Sequence, residues 1–139
     1  MTAAPDPLDA ALAQVGDRWT LQVVDALLAG PRRFTELQEA LGGIATNVLS
    51  QRLKQLERGG VVVARPYSTR PPRHAYELTE TGRELAGALV LLTEWGARLG
   101  GTGEVPHHEA CGTALEPRWF CATCDRTVDD DESDRLRYA

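Results

Sequence analysis

The sequence predicts a mostly α fold of the α+β class: short helices, then a two-stranded hairpin, then a longer helix with a small appendage. Three observations carry this expectation. Apolar residues recur at helical spacing through much of residues 7–58. Two strand-like runs, VVVARPY and HAYELT, follow in residues 61–79. All three cysteines and two of the three histidines crowd into residues 107–124, which sets the appendage apart. A chain of 139 residues with 42% apolar content supports one folded domain with a modest core.

The first helix is expected over Pro7 to Val15, where Leu8, Ala11, Leu12 and Val15 share helical spacing, and Gly16 can end it. Asp17 suits the N-cap of a second helix, Arg18 to Leu28, in which Trp19 reads as a core residue. Gly30-Pro31 stops it. Thr35-Glu36-Leu37-Gln38 matches a capping box and opens a short helix to about Leu41. After the Gly42-Gly43 turn, Thr46 suits the N-cap of a helix reaching Arg58, closed by Gly59-Gly60. Two short helices across a glycine turn are the pattern of a helix-turn-helix.

VVVARPY then reads as a strand and HAYELT as its return. STRPPRH between them is expected to break the pairing, because Pro71 and Pro72 lack amide donors. A basic, proline-stiffened hairpin directly after the helix pair is the layout of a winged helix. Thr81-Gly82-Arg83-Glu84 is a further capping-box match, opening a long helix to about Leu99. Leu85, Leu89, Leu92, Trp95 and Leu99 share its broad apolar face. Together with Leu8 and Leu12, they form the expected dimer interface, the alternative being packing on the chain's own domain. The boundaries are then 6–100 for the winged helix and dimerisation helix, 101–106 for a linker, 107–126 for a knuckle-like appendage and 127–139 for an acidic, mobile tail.

The net charge of −5 argues against nucleic acid, but its distribution argues for it. Residues 31–73 carry +5, whereas residues 104–139 carry −5. A basic middle between acidic flanks suits a phosphate-binding face; chance clustering on a solvated surface is the competing reading. At about 100° per residue, Leu49, Leu53 and Leu56 face the core, and Asn47, Gln51, Lys54 and Arg58 face away, with Thr46 and Ser50 near the entering end. Amide side chains can bind adenine edges bidentately, and lysine can reach guanine acceptors or phosphate. Arg52 lies at the flank, able to reach phosphate or to pair with Glu36 or Glu39. Arg32 and Arg33 precede the first helix of the pair, where they could clamp the DNA backbone along with that helix's first amides. Arg70 and Arg73 at the hairpin tip could enter a minor groove.

On GDRW, GPRRF-x-EL, L-x-QRL-x-x-LE-x-x-G and PPR-x-x-Y-x-LT-x-x-G, the chain resembles the HxlR-type winged-helix transcriptional regulators over residues 6–96. The resemblance implies a bacterial, cytoplasmic homodimer joined by the first and last helices of the domain. It also implies binding to palindromic operators, as a repressor or sometimes an activator. Many members of that family carry a cysteine just before the first-helix proline, and some sense electrophiles or oxidants with it. Here the position is Asp6, so any thiol chemistry must come from the tail.

The tail cysteines follow the spacing His108-x2-Cys111-x9-Cys121-x2-Cys124. One imidazole and three thiolates make a donor set for structural zinc, with His107 as the alternative to His108. Similar tails occur on some HxlR-type proteins, although Asp125 stands where a second knuckle glycine is expected. A Cys121–Cys124 redox pair and a chance grouping are the other readings. No phosphate loop, H-E-x-x-H or serine elbow is present, so an enzyme is not expected. No apolar run approaches the roughly 20 residues needed to span a bilayer, and no secretory signal opens the sequence. The two remaining classes are a DNA-binding regulator, with an effector the sequence does not identify, and an adaptor that binds another protein through a winged helix and knuckle.

Overall fold

The computed structural model describes residues 3–129 and Glu132. It divides into two compact units, residues 1–89 and 90–139. Most of the expected acidic tail lies outside the described residues. Among the described residues, no helix is long and apolar enough to cross a membrane.

Capping chemistry explains most helix starts in the first unit. Helix α1 spans Pro7–Val15, with Pro7 in its first turn, and Asp6 Oδ1 accepts the Leu8 amide at 2.8 Å. The carboxylate at position 6 therefore has a structural task. Helix α2 spans Arg18–Leu28; Asp17 Oδ1 accepts the amides of Trp19 and Thr20 at 2.9 and 3.0 Å. Thr20, not Trp19, is the fully buried residue of its first turn. Trp19 is half-buried and packs against the core as expected, with the Arg18 guanidinium 4.9 Å from its ring.

The next two helices start differently from expectation. Helix α3 spans Phe34–Ala40 with Arg33, not Thr35, as N-cap; Glu36 Oε2 accepts the Arg33 amide at 2.8 Å. Helix α4 spans Thr46–Arg58 with Ala45 as N-cap. Thr46 is already helical, and its hydroxyl accepts the Gln38 side-chain amide at 2.9 Å. That bond ties α3 to the entry of α4 across the turn. At the far end, the Val61 amide bonds to Leu56 O at 2.9 Å and the Gly60 amide to Glu57 O at 3.1 Å. Both bonds need the left-handed conformation of Gly60, φ 71°, in the pattern of a Schellman cap.

The sheet has three antiparallel strands in the order β1-β3-β2. Strand β1 is only Arg32–Arg33, pairing Arg32 with Tyr76 and Arg33 with Ala75. Strand β2 spans Val62–Thr69 and β3 spans Pro72–Leu78. Contrary to expectation, pairing continues through Ser68–Arg73 and Thr69–Pro72, leaving only Arg70 and Pro71 at the tip. A proline is tolerated as the first residue of a strand, where its missing donor breaks no interior ladder bond. The register shifts between Pro66 and Ser68, so Tyr67 is the extra residue of a bulge.

The long helix expected from Thr81 is two helices, α5 (Glu80–Arg83) and α6 (Ala86–Arg98). The cap is Thr79, whose hydroxyl oxygen accepts the Gly82 amide at 3.1 Å. The Leu85 amide bonds to Gly82 O, a tighter turn that separates the two. The core of the first unit joins Val23, Val24 and Leu27 of α2, Leu37 of α3, Leu49, Leu53 and Leu56 of α4, and Leu89. Leu85 packs against this cluster, so Leu85 and Leu89 belong to the core and not to an exposed face.

In the second unit, α6 is followed by irregular chain and two small hairpins. One is closed by a bridge between His107 and Ala114. The other pairs β4 (Phe120–Cys121) with β5 (Arg126–Thr127).

Candidate nucleic-acid interface

Helix α4 is amphipathic in the way its spacing requires. Leu49, Leu53 and Leu56 are at most 1% exposed, which fixes the rotation of the helix. Thr46, Asn47, Gln51, Lys54 and Arg58 are exposed on the other side, and Ser50 is half-buried. The outer face therefore offers hydroxyl, amide and cationic groups on a rigid support.

Arg52 is not part of that face. Its Nε lies 3.0 Å from Asp17 Oδ2, so it pairs with the N-cap of α2 and not with Glu36 or Glu39. The Nε–H makes no directed hydrogen bond, so the contact is one of charge more than of aligned N–H and oxygen. Burial opposes ionisation of Asp17, but the Thr20 hydroxyl at 2.6 Å, the Thr20 amide and Arg52 outweigh it and hold its pKa below the usual 3.8. A carboxyl whose pKa is lower folded than unfolded contributes stability that is complete above its unfolded value and lost as pH falls through the folded one. Thermal stability is therefore expected to drop on acidification below about pH 4, and Asp17→Asn should flatten that limb. Melting curves across pH 2–7 for both proteins check this; parallel profiles would mean that Asp17 does not contribute.

Arg32 is also diverted from the expected clamp. Its Nε–H donates to Ala26 O at 2.8 Å, tying β1 to the last turns of α2. Arg33 remains exposed, its guanidinium 4.9 Å from the Tyr67 ring. The bulge presents Tyr67 to this arginine, so the wing and the residue before α3 meet. Arg33, Phe34, Thr35, Tyr67, Arg73 and His74 line a groove of about 310 Å³. Arg70 and Arg73 are exposed at and beside the tip. Arg65 is paired with Glu77 across the hairpin. His74 reads from the sequence as surface or strand filler, and its meeting with Phe34 and Tyr67 depends on the bulge, which no local pattern signals.

In the second unit, His108 Nδ1 lies 3.3 Å from Cys111 Sγ. Hydrogen bonds from the Thr113 hydroxyl and amide hold the Cys111 thiol below its ordinary pKa. The Cys121 pKa is lowered by hydrogen bonds from the Cys124 amide, the Cys124 thiol and the Thr123 amide; Cys124 is raised because it donates to Cys121. The three thiols are free. The four expected ligands thus lie as two pairs, His108 with Cys111 and Cys121 with Cys124, and among the described residues no group of three or more His, Cys, Asp or Glu is placed to hold a metal ion.

Residues 14–103 match the family described as HxlR-like helix-turn-helix. An HTH-type transcriptional regulator of Mycobacterium tuberculosis is 40% identical over 122 residues, covering 85% of this chain and 77% of its own. The crystal structure of the HTH-type regulator YtcD, a protein of Bacillus subtilis, superposes with a TM-score of 0.65 at 35% identity, covering 68% of this chain and 97% of that one. A transcription factor of Pseudomonas aeruginosa superposes with a TM-score of 0.67 at 30% identity, covering 91% and 88%. The first and third similarities span more of the chain than residues 14–103, so they extend beyond the helix-turn-helix region.

Proposed function

This chain belongs to the HxlR-like helix-turn-helix family of transcriptional regulators, and from that premise we propose that it is a homodimeric repressor reading a palindromic operator through α4. The observation that carries the reading is the outer face of α4, where Asn47, Gln51, Lys54 and Arg58 are exposed opposite a fully buried leucine row. Asn47 and Gln51 lie in the first half of the helix, the end that enters a major groove deepest. Exposed Arg33 and Arg73 would contact phosphate on either side of it, and exposed Arg70 at the wing tip would enter a minor groove. Two-fold pairing is supported by apolar side chains left in water: Leu8 and Leu12 on α1, and Leu92, Trp95 and Leu99 on α6. An effector acting on the dimer is part of this reading, without an assigned chemistry.

Selection of genomic fragments followed by footprinting tests the proposal. The expected footprint is a palindrome whose half-sites lie about one helical turn, roughly 34 Å, apart, with affinity falling steeply in salt. Gln51→Ala should cost about 1–3 kcal/mol per lost bidentate contact and relax base preference at one position per half-site. Arg33→Ala should weaken all sequences alike and reduce the salt slope by about one. Failure to bind any fragment at low salt would replace this reading with that of a protein-binding adaptor, which the net charge of −5 favours.

A further inference from the structure

The appendage contains the same loop twice. In the first copy, His107 bridges Ala114; in the second, Phe120 pairs with Thr127. Each pair closes a loop with the same number of residues between its ends. Counting from the first residue of each pair, His108 and Cys121 occupy the next position. Cys111 and Cys124 occupy the fourth, and Gly112 and Asp125 the fifth. Those fifth residues are both left-handed, with φ of 70° and 52°. Glycine adopts this conformation freely, and aspartate is among the few side chains that tolerate it. The departure from glycine at position 125 therefore leaves the backbone design intact.

The hydrogen bonding is that of a loop built around its sulfur and nitrogen atoms. His108 O accepts the amides of Cys111 and Gly112 at 3.2 and 2.7 Å, and Thr113 O accepts the His108 amide at 2.8 Å. Amides of Thr113 and of Thr123 and Cys124 point at Cys111 and Cys121, respectively. Donors of this kind surround coordinating thiolates and orient them. No residue of 107–127 is buried; Leu115, Trp119 and Phe120 are each about half exposed or more. A segment this short with no apolar core needs a covalent or metal staple to hold its two loops together. With three free thiols and one imidazole at matched positions, the donor chemistry is that of a closed, borderline-soft site.

We infer that His108, Cys111, Cys121 and Cys124 form a structural zinc site, each loop supplying two ligands and the ion joining the two loops. The repeat chooses between the histidines. His108 stands where Cys121 stands in the other loop, whereas His107 stands at the bridge position of Phe120. With four protein ligands, no coordination position is left for a substrate, so the site is a clasp and not a catalytic centre. Much of the appendage's folding free energy then comes from the ion, and chelation unfolds residues 107–127 without unfolding the winged helix.

The test uses the full chain purified untagged and without chelator. The expected result is about one zinc per chain, with all three thiols slow towards a thiol reagent until chelator is added. Cobalt reconstitution should give tetrahedral d–d bands with a thiolate charge-transfer band. Cys124→Ser should lower metal affinity by at least 10-fold, and so should His108→Asn, while His107→Asn should retain it. Circular dichroism and thermal melting of the winged helix, unchanged in these variants, keep a general folding failure distinguishable. Metal well below one per chain with thiols reactive in the native protein would overturn the site. So would a Cys121–Cys124 disulfide that forms in air in the zinc-treated protein. Loss of metal in His107→Asn but not in His108→Asn would overturn the ligand assignment.

Discussion

Leu92→Glu combined with Trp95→Glu is expected to convert the proposed dimer to monomers and to weaken binding to the proposed operator by about 10²–10⁴-fold. In the isolated chain Leu92 is 48% exposed and Trp95 55%, so charge at these positions should cost the monomer's own fold little. In a dimer the same carboxylates would have to be desolvated against apolar surface, which costs several kcal/mol per group. The loss of DNA affinity follows because a monomer binds one half-site, without the effective concentration that tethers the second. Sedimentation measures the assembly state, and fluorescence anisotropy on the selected operator measures the affinity. A double variant that stays dimeric with unchanged affinity would move the interface away from α6. Leu85→Ala and Leu89→Ala should act mainly on stability instead, since these two side chains pack into the first unit's core.

Leu53→Ala is expected to cost about 2–5 kcal/mol of stability, from lost burial plus the cavity left behind. For a unit of this size each kcal/mol corresponds to roughly 4–8 °C, so the melting temperature should fall by at least about 8 °C. Leu53 is 1% exposed, and the core around it has few layers through which to relax. Its neighbour Lys54 gives the control. Lys54→Ala should stay within about 0.5 kcal/mol of the parent in urea unfolding, yet lose operator affinity. Adjacent substitutions on one helix thus separate folding from recognition. Equal stability losses for both would mean that Lys54, like Leu53, faces the core.

Much of this architecture was legible where chemistry is local. Helices α1 and α2 have the bounds that apolar spacing, Gly16 and Asp17 announce, and α4 ends where Gly59-Gly60 announce. What was not legible depends on contacts distant in sequence. Strand β1 is two residues long, too short to carry alternation, and exists only because β3 lies beside it. Arg33 and Ala45 carry no cap chemistry of their own, so the capping signals at Thr35 and Thr46 pointed to the wrong residue. The break between α5 and α6 follows from Thr79 capping earlier than Thr81. Within the candidate interface, the outward face of α4 followed from helical periodicity alone. The diversion of Arg52 to Asp17 and of Arg32 to Ala26 did not, because each partner sits on α2. In the tail the ligand spacing was visible, but the matched register that separates His108 from His107 needed the hairpins.

The Gln55 side chain sits on the flank of α4, and its amide reaches across to the end of α1. Its Nε2 donates to Gln14 O at 3.2 Å and to Ala13 O at 3.5 Å. Carbonyls at the end of a helix lack partners within it, so this glutamine acts as a pin between α1 and the helix proposed to read DNA. A pin transmits displacement in both directions. A small molecule that moved α1 would tilt the reading face without touching it, and DNA held by that face would bias α1 in return, by the reciprocity that linked equilibria require.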